Sequence, residues 1–172
     1  MSQDNKPPVL NIEDAQYMDF AQMSKAQGTE LPRERFGGRM APLGRPLGAR
    51  KLGYNVTVVE PGKRAYPFHC HRVNEEMFFI IEGSGEVRFG DKAWPVRRGD
   101  VIACPSGGPE TAHQLVNAGP GELKYLAVST MLGLDVCQYP DSGKFAVLDG
   151  FGPSGFRYVG RESSEVDYWD GE

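Results

Sequence analysis

The length, composition and charge of the chain limit the classes of protein to which it can belong. Its 172 residues suit one ordinary domain with extensions, and a hydrophobic content of 40% is enough for a core. The net charge of −4 gives no general attraction for nucleic acid, and no apolar run approaches the ~20 residues that a membrane span needs. The first residues lack the layout of a signal peptide, and the three cysteines are widely spaced, as in a reducing compartment. We therefore expect a cytoplasmic protein that has neither nucleic acid nor a membrane as its partner.

The first 50 residues show little strand character. Residues 14–25 could form a short helix, because Tyr17, Phe20 and Met23 recur at three-residue spacing on one side. The rest of this stretch is rich in glycine, proline and arginine. We predict that residues 1–50 form an arm that packs on the barrel described below or on a partner subunit.

From Leu52 onward the sequence consists of short β-branched and apolar runs separated by turn-forming residues. Turn formers recur roughly every 8 to 12 residues, a pattern that favours a sandwich or barrel over alternating βαβ units. The 22 glycines and 13 prolines of the chain agree with many short strands. The predicted strands lie at 52–60, 66–71, 75–82, 86–89, 92–96, 100–105, 111–117 and 122–130.

One of these strands is apolar on both faces. Phe78 and Ile80 point to one side of it, whereas Met77, Phe79 and Ile81 point to the other. A half-solvated strand would alternate with polar residues, so we expect something to cover the outer face. The arm and a second subunit are the candidates, and we favour both together, in a homodimer.

The three histidines of the chain are the strongest indication of chemistry. His69 and His71 are two residues apart in a predicted strand, so both rings can reach one point while Cys70 turns away. Glu76 begins the next strand, and an antiparallel return would bring its carboxylate beside them. With His113, three imidazoles and one carboxylate suit a divalent transition metal such as Fe, Mn, Ni, Zn or Cu. Four protein ligands on an octahedral ion leave two positions for water, oxygen or a substrate.

Two segments resemble the two sequence motifs of the cupin superfamily. The first, PGKRAYPFHCHRVNEEMFFIIEGSG, has glycine, His-x-His, glutamate, six residues and glycine in the order of the first motif. The second, GDVIACPSGGPETAHQLVN, has Gly99, Pro105, Gly107, His113 and Asn117 at the places of the second. Two loop spacings are longer than usual, by one residue before the first histidine and by three before the last. These departures affect loop shape and leave the ligand positions in place.

The resemblance implies an all-β fold, the double-stranded β-helix or jelly-roll barrel, over residues 51–132. Residues 1–50 would then be an N-terminal arm, and residues 133–172 a short C-terminal extension that packs on the barrel or on a partner. Three further runs, NEEMFFIIEG, RGDVIACPSGGPETAHQ and YPDSGK, are similar to small bacterial single-domain cupins of unassigned role. Some cupins of that kind carry the label of a sugar-phosphate isomerase, and cupins are often dimers.

The resemblance also implies that His69, His71, Glu76 and His113 hold one metal ion near one mouth of the barrel. Glu75 is the rival to Glu76, but it has the opposite strand parity and does not keep the six-residue spacing to the following glycine.

Other residues near the predicted strands have less specific signals. By parity Phe78 shares a face with Glu76 and could line a substrate pocket, and Gln114 is a further candidate for substrate binding. Cys70 and Cys104 are expected to be small core residues and not reactive thiols. Lys63, Arg64 and Arg72 could bind an anionic substrate group, although solvated loop charges are the commoner explanation.

Two kinds of function fit this pattern. In an enzyme, a metal ion would act on a small polar organic molecule, in an isomerase or lyase reaction or in a dioxygenase reaction. Glu76 would be a ligand and the catalytic proton acceptor. The alternative is a non-catalytic cupin that binds or senses a small molecule, with a barrel that has lost its metal as a third possibility.

Overall fold

The structure is a computed structural model that describes residues 8–150 and 155–172. Residues 1–7 of the predicted arm and 151–154 of the predicted extension lie outside it. Within the described ranges the chain forms thirteen β-strands, one α-helix and three 3-10 turns at Ile12–Asp14, Pro109–Thr111 and Glu162–Ser164. In chain order these are β1 (Met18–Asp19), α1 (Phe20–Ala26), β2 (Gly38–Pro42), β3 (Leu52–Val59), β4 (Cys70–His71), β5 (Glu76–Glu82), β6 (Ser84–Phe89), β7 (Lys92–Arg97), β8 (Val101–Cys104), β9 (His113–Val116), β10 (Leu123–Thr130), β11 (Leu134–Tyr139), β12 (Lys144–Asp149) and β13 (Phe156–Arg161).

The strands form three antiparallel sheets. The largest has the order β1-β2-β3-β10-β5-β8, the second β13-β12-β11-β4 and the third β7-β6-β9. The N-terminal stretch was expected to show little strand character, and this expectation is wrong for β1 and β2. The strand β2 forms because it pairs along β3 over five residues and buries Ala41 completely. Local propensity does not report such a long-range pairing.

The helix of the arm is shorter than predicted and begins later. Asp19 is its N-cap, since its Oδ1 accepts hydrogen bonds from the backbone N–H groups of Ala21 and Gln22. The segment 14–25 therefore divides into a 3-10 turn, a short strand and a helix that starts at Phe20. Phe20 is 5% exposed and packs against Tyr66, which docks the arm on the barrel.

The core lies on the inner face of the largest sheet. Ile80 and Tyr125 lie opposite each other on β5 and β10, and both are fully buried. The Phe78 ring meets the Tyr125 ring edge-on at 5.4 Å between centroids. Burying each such side chain stabilises the fold by about 1.5–3 kcal/mol. The outer face of β5 is covered only in part, because Phe79 remains 38% exposed with the arm in place.

Two motif positions have structural roles at the end of the barrel. Gly83 has φ = +84°, and a Cβ there would meet the Glu122 carbonyl oxygen at 2.2 Å, so only glycine fits. Asn117 is fully buried. It donates hydrogen bonds to the carbonyl oxygens of Val59 and Gly121, and its Oδ1 accepts one from the Gly119 N–H. These contacts hold the loop between β9 and β10 against β3.

Candidate metal centre

The backbone brings the histidines of the two motifs together. His69 and His113 exchange two backbone hydrogen bonds, of 3.2 and 2.8 Å, in an isolated antiparallel bridge. Their rings lie 4.8 Å apart between centroids, and the His69 and His71 rings lie 5.1 Å apart. His71 is in β4, on the same side of the chain as His69, as the two-residue spacing predicts.

The carboxylate of Glu76 lies at the centre of the three rings. Its Oε2 is 2.9 Å from Nε2 of His113, 3.5 Å from Nε2 of His71 and 3.6 Å from Nε2 of His69. Ligand atoms of His69, His71 and Glu76 lie within 4.8 Å of one another. Glu75, the rival carboxylate, is exposed, and its backbone N–H donates to Oγ1 of Thr130. The structure therefore places Glu76 among the histidines and Glu75 away from them.

The outward nitrogen of each ring identifies its tautomer. Nδ1 of His69 is 2.8 Å from the Pro67 carbonyl oxygen, and Nδ1 of His113 is 3.1 Å from that of Thr111. Nδ1 of His71 is 2.7 Å from Oδ2 of Asp135. These oxygens only accept, so each Nδ1 carries a proton, and each ring when neutral presents the lone pair of Nε2 to the centre of the site. Without a metal, Nε2 can hold a proton that it donates to Oε2 of Glu76; a metal ion in its place would meet three lone pairs and one carboxylate oxygen.

The pKa values of Glu76 and His71 indicate that the site requires positive charge. Burial acts to raise the pKa of Glu76, but the hydrogen bonds from the three imidazoles outweigh it and hold the pKa well below its usual range. Burial acts to lower the pKa of His71, but contacts with Cys137 and Glu76 outweigh it and raise the pKa to about 11. Without a metal, the ionised carboxylate is balanced by protonated imidazole, and a divalent cation could take the place of that positive charge. The nitrogen and oxygen donors of the site fit a divalent transition metal.

Asp135 is the residue that the sequence did not reveal. It lies in β11, is 2% exposed and accepts four hydrogen bonds. Its Oδ2 accepts from Nδ1 of His71 at 2.7 Å and from Nδ2 of Asn74 at 2.9 Å. Its Oδ1 accepts from the N–H groups of Val73 and Val136 at 3.0 and 2.8 Å. A carboxylate behind a histidine fixes the ring and increases the basicity of its inward nitrogen.

The two candidate substrate residues lie beside the histidines but in different surroundings. The Phe78 ring is 7% exposed and lies 5.6 Å from the His113 ring between centroids. It lines a cavity of about 10 Å³, roughly the space of one water molecule. Gln114 is 4% exposed, donates from Nε2 to the Tyr66 carbonyl oxygen at 2.7 Å and accepts from Arg88 at 2.8 Å. Its amide is therefore held between β6 and the loop of the first motif.

The cysteines and the loop cations also have clear places. Cys70 and Cys104 are buried, as expected for core residues, and Sγ of Cys137 lies 3.2 Å from Nδ1 of His71. Lys63 donates from Nζ to the backbone carbonyl oxygens of Arg33 and Glu34. Arg64 lines a separate cavity, and Arg72 is exposed.

Comparison with known proteins finds a family whose model matches part of the chain. Residues 55–129 match the cupin domain family. Over 61 residues the chain is 36% identical to an uncharacterised protein of Methanocaldococcus jannaschii, and the chain spans about half, 46%, of that curated relative. Among the described residues, no helix is long and apolar enough to cross a membrane.

Solved structures of similar fold extend the comparison beyond the matched domain. A sugar phosphate isomerase of the cupin superfamily from Silicibacter pomeroyi has a TM-score of 0.74 at 23% identity, over 95% of this chain and 98% of that one. A predicted oxalate decarboxylase from Thermotoga maritima has a TM-score of 0.57 at 24% identity, over 72% and 99%. The polyketide cyclase RemF from Streptomyces resistomycificus has a TM-score of 0.54 at 20% identity, over 72% and 79%. These likenesses confirm the predicted all-β, double-stranded β-helix fold.

Proposed function

We propose that this chain, whose residues 55–129 match the cupin domain family, is a cupin that binds one divalent transition metal ion through His69, His71, Glu76 and His113. The observation that carries this proposal is the convergence of the Nε2 atoms of three histidines on one carboxylate oxygen, at 2.9 to 3.6 Å. These side chains are at most 18% exposed, so the ionised carboxylate needs a positive charge beside it, either a proton on the imidazoles or a metal ion. A metal ion coordinated by all four residues would supply that charge and leave the histidines neutral.

We propose that the bound metal serves an enzymatic reaction on a small polar organic molecule. When bound, a divalent ion supplies Lewis acidity that polarises a carbonyl oxygen or acidifies a coordinated water. The three histidines would hold the ion and orient it. Glu76 would be a ligand and the group that accepts a proton, since its carboxylate is ionised.

The class of reaction rests on weaker support than the metal site. Related folds carry names of an isomerase, a decarboxylase and a cyclase, but at under 25% identity they support the fold alone. We therefore keep an isomerase or lyase and a dioxygenase as the candidate reaction types. Phe78 and Gln114 remain predicted substrate contacts, and the small cavity at Phe78 would have to widen for a substrate to reach them.

One observation favours the alternative, a cupin that binds or senses a small molecule without catalysis. Among the described residues hydrogen-bonded at the site, the carboxylates are Glu76 and Asp135, and Asp135 already accepts four hydrogen bonds. An isomerase needs a proton shuttle, and here Glu76 would have to provide it alone.

We further propose a cytoplasmic homodimer. The support is the outer sheet face, where Phe79 lies opposite Val101, which is 65% exposed, and Trp94 on β7 is 45% exposed. Exposed apolar groups of this kind favour a protein interface. Sedimentation of the purified protein as a monomer at micromolar concentration would contradict the dimer, and recovery in a membrane or secreted fraction would contradict the location.

The test of the metal site is elemental analysis of the native protein and of two matched variants. We expect about one equivalent of a transition metal in the native protein and in Glu75→Gln, and less than a tenth of that in Glu76→Gln. Iron would direct the search to oxygen-consumption assays, and zinc, nickel or manganese to isomerase or lyase substrates. Less than about a tenth of an equivalent in the native protein, even after reconstitution with excess metal, would refute the proposal.

A further inference from the structure

A second cavity lies outside the barrel, between the arm and the C-terminal extension. It has a volume of about 510 Å³, within the range of small-molecule sites. The helix α1 and the loop after it form one wall, and the turn between β11 and β12 forms another. It shares Ala65, Tyr66, Pro67 and Gln114 with the small cavity beside the histidines, so these residues lie between the two.

The interior of this cavity is aromatic. Phe20 and Phe68 are buried in its floor, and Phe36 and Tyr139 lie on its sides. The Tyr139 ring also stacks on the ring of His69, at 6.1 Å between centroids and 22° between planes. Flat apolar walls of this kind accept the body of an aromatic ligand.

The rim of the cavity is positive. Arg35, Arg64 and Lys144 line it together with two carboxylates, Glu30 and Asp141. This sign is opposite to the net charge of −4 of the whole chain. A cationic rim on an acidic protein is therefore a local feature and not a consequence of overall composition.

One of the two carboxylates is already neutralised by a cation from outside the lining. Both oxygens of Asp141 accept hydrogen bonds from Arg88, at 2.8 and 3.0 Å. The pKa of Asp141 is lowered first by that hydrogen bond, and the charges of Arg64 and Arg35 lower it further, which places both guanidinium groups nearby. The hydrogen-bond donors of Arg64 and Arg35 are therefore not needed by Asp141.

The charges of Arg64 and Lys144 have no close carboxylate partner. Within residues 8–150 and 155–172, neither forms an ion pair shorter than 4.0 Å, although both side chains are half-buried. Lys144 instead lies over the Tyr139 ring, with Nζ 5.8 Å from its centroid. Two half-buried cations beside an aromatic cavity are the groups that would bind an anion there.

We propose that this cavity binds a small aromatic acid, an aromatic ring that carries a carboxylate or a phosphate group. The ring occupies the space between Phe20 and Tyr139, and the anionic group meets Arg64 and Lys144. The site is separate from the metal centre and does not require it. Its occupant touches Tyr139 and Gln114, which contact or adjoin the histidines.

Calorimetric titration of the purified full-length protein tests this proposal. The probes are phenylacetate, benzyl phosphate and the neutral benzyl alcohol. We expect at least one of the two anions to bind about ten-fold or more tightly than the alcohol, and which of them binds better distinguishes a carboxylate site from a phosphate site. No heat of binding from either anion up to about 10 mM, or equal binding of the alcohol, would overturn the proposal.

Three variants locate the binding. Arg64→Gln and Lys144→Gln should each weaken the preferred anion by about ten-fold or more, because each removes a charge-assisted contact. Arg98→Gln removes an exposed charge outside the cavity lining and should leave binding unchanged. Unchanged binding in both cavity variants, each shown to be folded by circular dichroism, would refute the site.

A fourth variant separates this site from the metal centre, which could itself attract an anion. Glu76→Gln should lose metal and keep the anion affinity. If the anion affinity falls with the metal, the probe binds at the metal centre and the proposal fails, whereas the metal proposal stands. If the native protein contains no metal and still binds the anion through Arg64, the metal proposal fails and this one stands.

Discussion

Replacing Asp135 by asparagine is the most informative single change to the metal centre, because it preserves shape and alters only hydrogen bonding and charge. The native carboxylate accepts two hydrogen bonds on each oxygen. An asparagine amide offers one oxygen and one NH₂ group. In either orientation of the amide, the NH₂ group, which is itself a donor, faces two donors that a carboxylate oxygen accepted in the native protein.

The stability cost follows from that count. If the amide oxygen keeps the bonds of Val73 and Val136, the NH₂ group faces Nδ1–H of His71 and Nδ2 of Asn74. Each donor left without a partner in a buried position costs about 1–3 kcal/mol. If His71 keeps its proton on Nδ1, both donors lose their partner and Asp135→Asn should lower the free energy of unfolding by about 2–6 kcal/mol; if the proton moves to Nε2, only Asn74 loses its partner and the decrease should be about 1–3 kcal/mol.

The effect on the metal follows from the tautomer. His71 can meet the new NH₂ group only by moving its proton from Nδ1 to Nε2, and it then has no lone pair to turn toward the metal. The loss of the carboxylate also makes the ring less basic. Together these effects should weaken metal binding by about 10- to 100-fold.

The measurement is competition for the metal against a chromophoric chelator, together with urea unfolding of the metal-free protein. Asp149→Asn is the matched control, because Asp149 is an exposed carboxylate in the same sheet and should change neither quantity. Native metal affinity in Asp135→Asn, with a stability change below about 0.5 kcal/mol, would refute the role assigned to Asp135.

Three further predictions follow from buried groups. Burial raises the pKa of the Cys70 and Cys104 thiols and Cys137 is equally buried, so the native protein should resist dithionitrobenzoate at neutral pH and react at all three thiols only in denaturant. Asn117→Ala leaves three backbone groups without their partner, so its free energy of unfolding in urea should fall by about 2–4 kcal/mol, and a change below about 0.5 kcal/mol would contradict this. Burial acts to raise the pKa of Asp135, but hydrogen bonds from Asn74 and His71 outweigh burial and hold the pKa below its ordinary value. The ionised carboxylate therefore stabilises the fold above about pH 4, and this stabilisation is lost as the pH falls through the folded-state pKa. Metal-free Asp135→Asn should therefore lose less stability than the native chain between pH 5 and pH 3, and equal losses in urea unfolding would exclude this linkage.

The parts of the fold and site that were predictable depend on short sequence separations. Strand parity alone places His69 and His71 on one side, and Glu76 follows after a turn of a few residues. The six-residue spacing from Glu76 to Gly83 reflects the length of β5, which ends where only glycine fits. Relations between residues this close in the chain can be detected in a single sequence.

The parts that were missed depend on pairings between distant residues. The strand β2 has weak local propensity and exists because it pairs with β3. In the same way β11 pairs with β4, so that Cys137 lies opposite His71 and Gln138 opposite Cys70. Nothing near Asp135 in the sequence indicates a partner that lies 64 positions earlier. A lone aspartate in a predicted extension has no periodicity or spacing to distinguish it.

The position of Asp135 links the C-terminal extension to the candidate metal site of the matched domain. Residues 55–129 match the cupin domain, and all four candidate ligands lie within them. Asp135 lies beyond that range, on β11, which belongs to the sheet with the strand order β13-β12-β11-β4. The tautomer of His71 therefore depends on a residue that the domain itself does not contain. It follows that the C-terminal extension is part of the proposed metal centre, because β11 of the extension pairs with β4, the strand that carries His71.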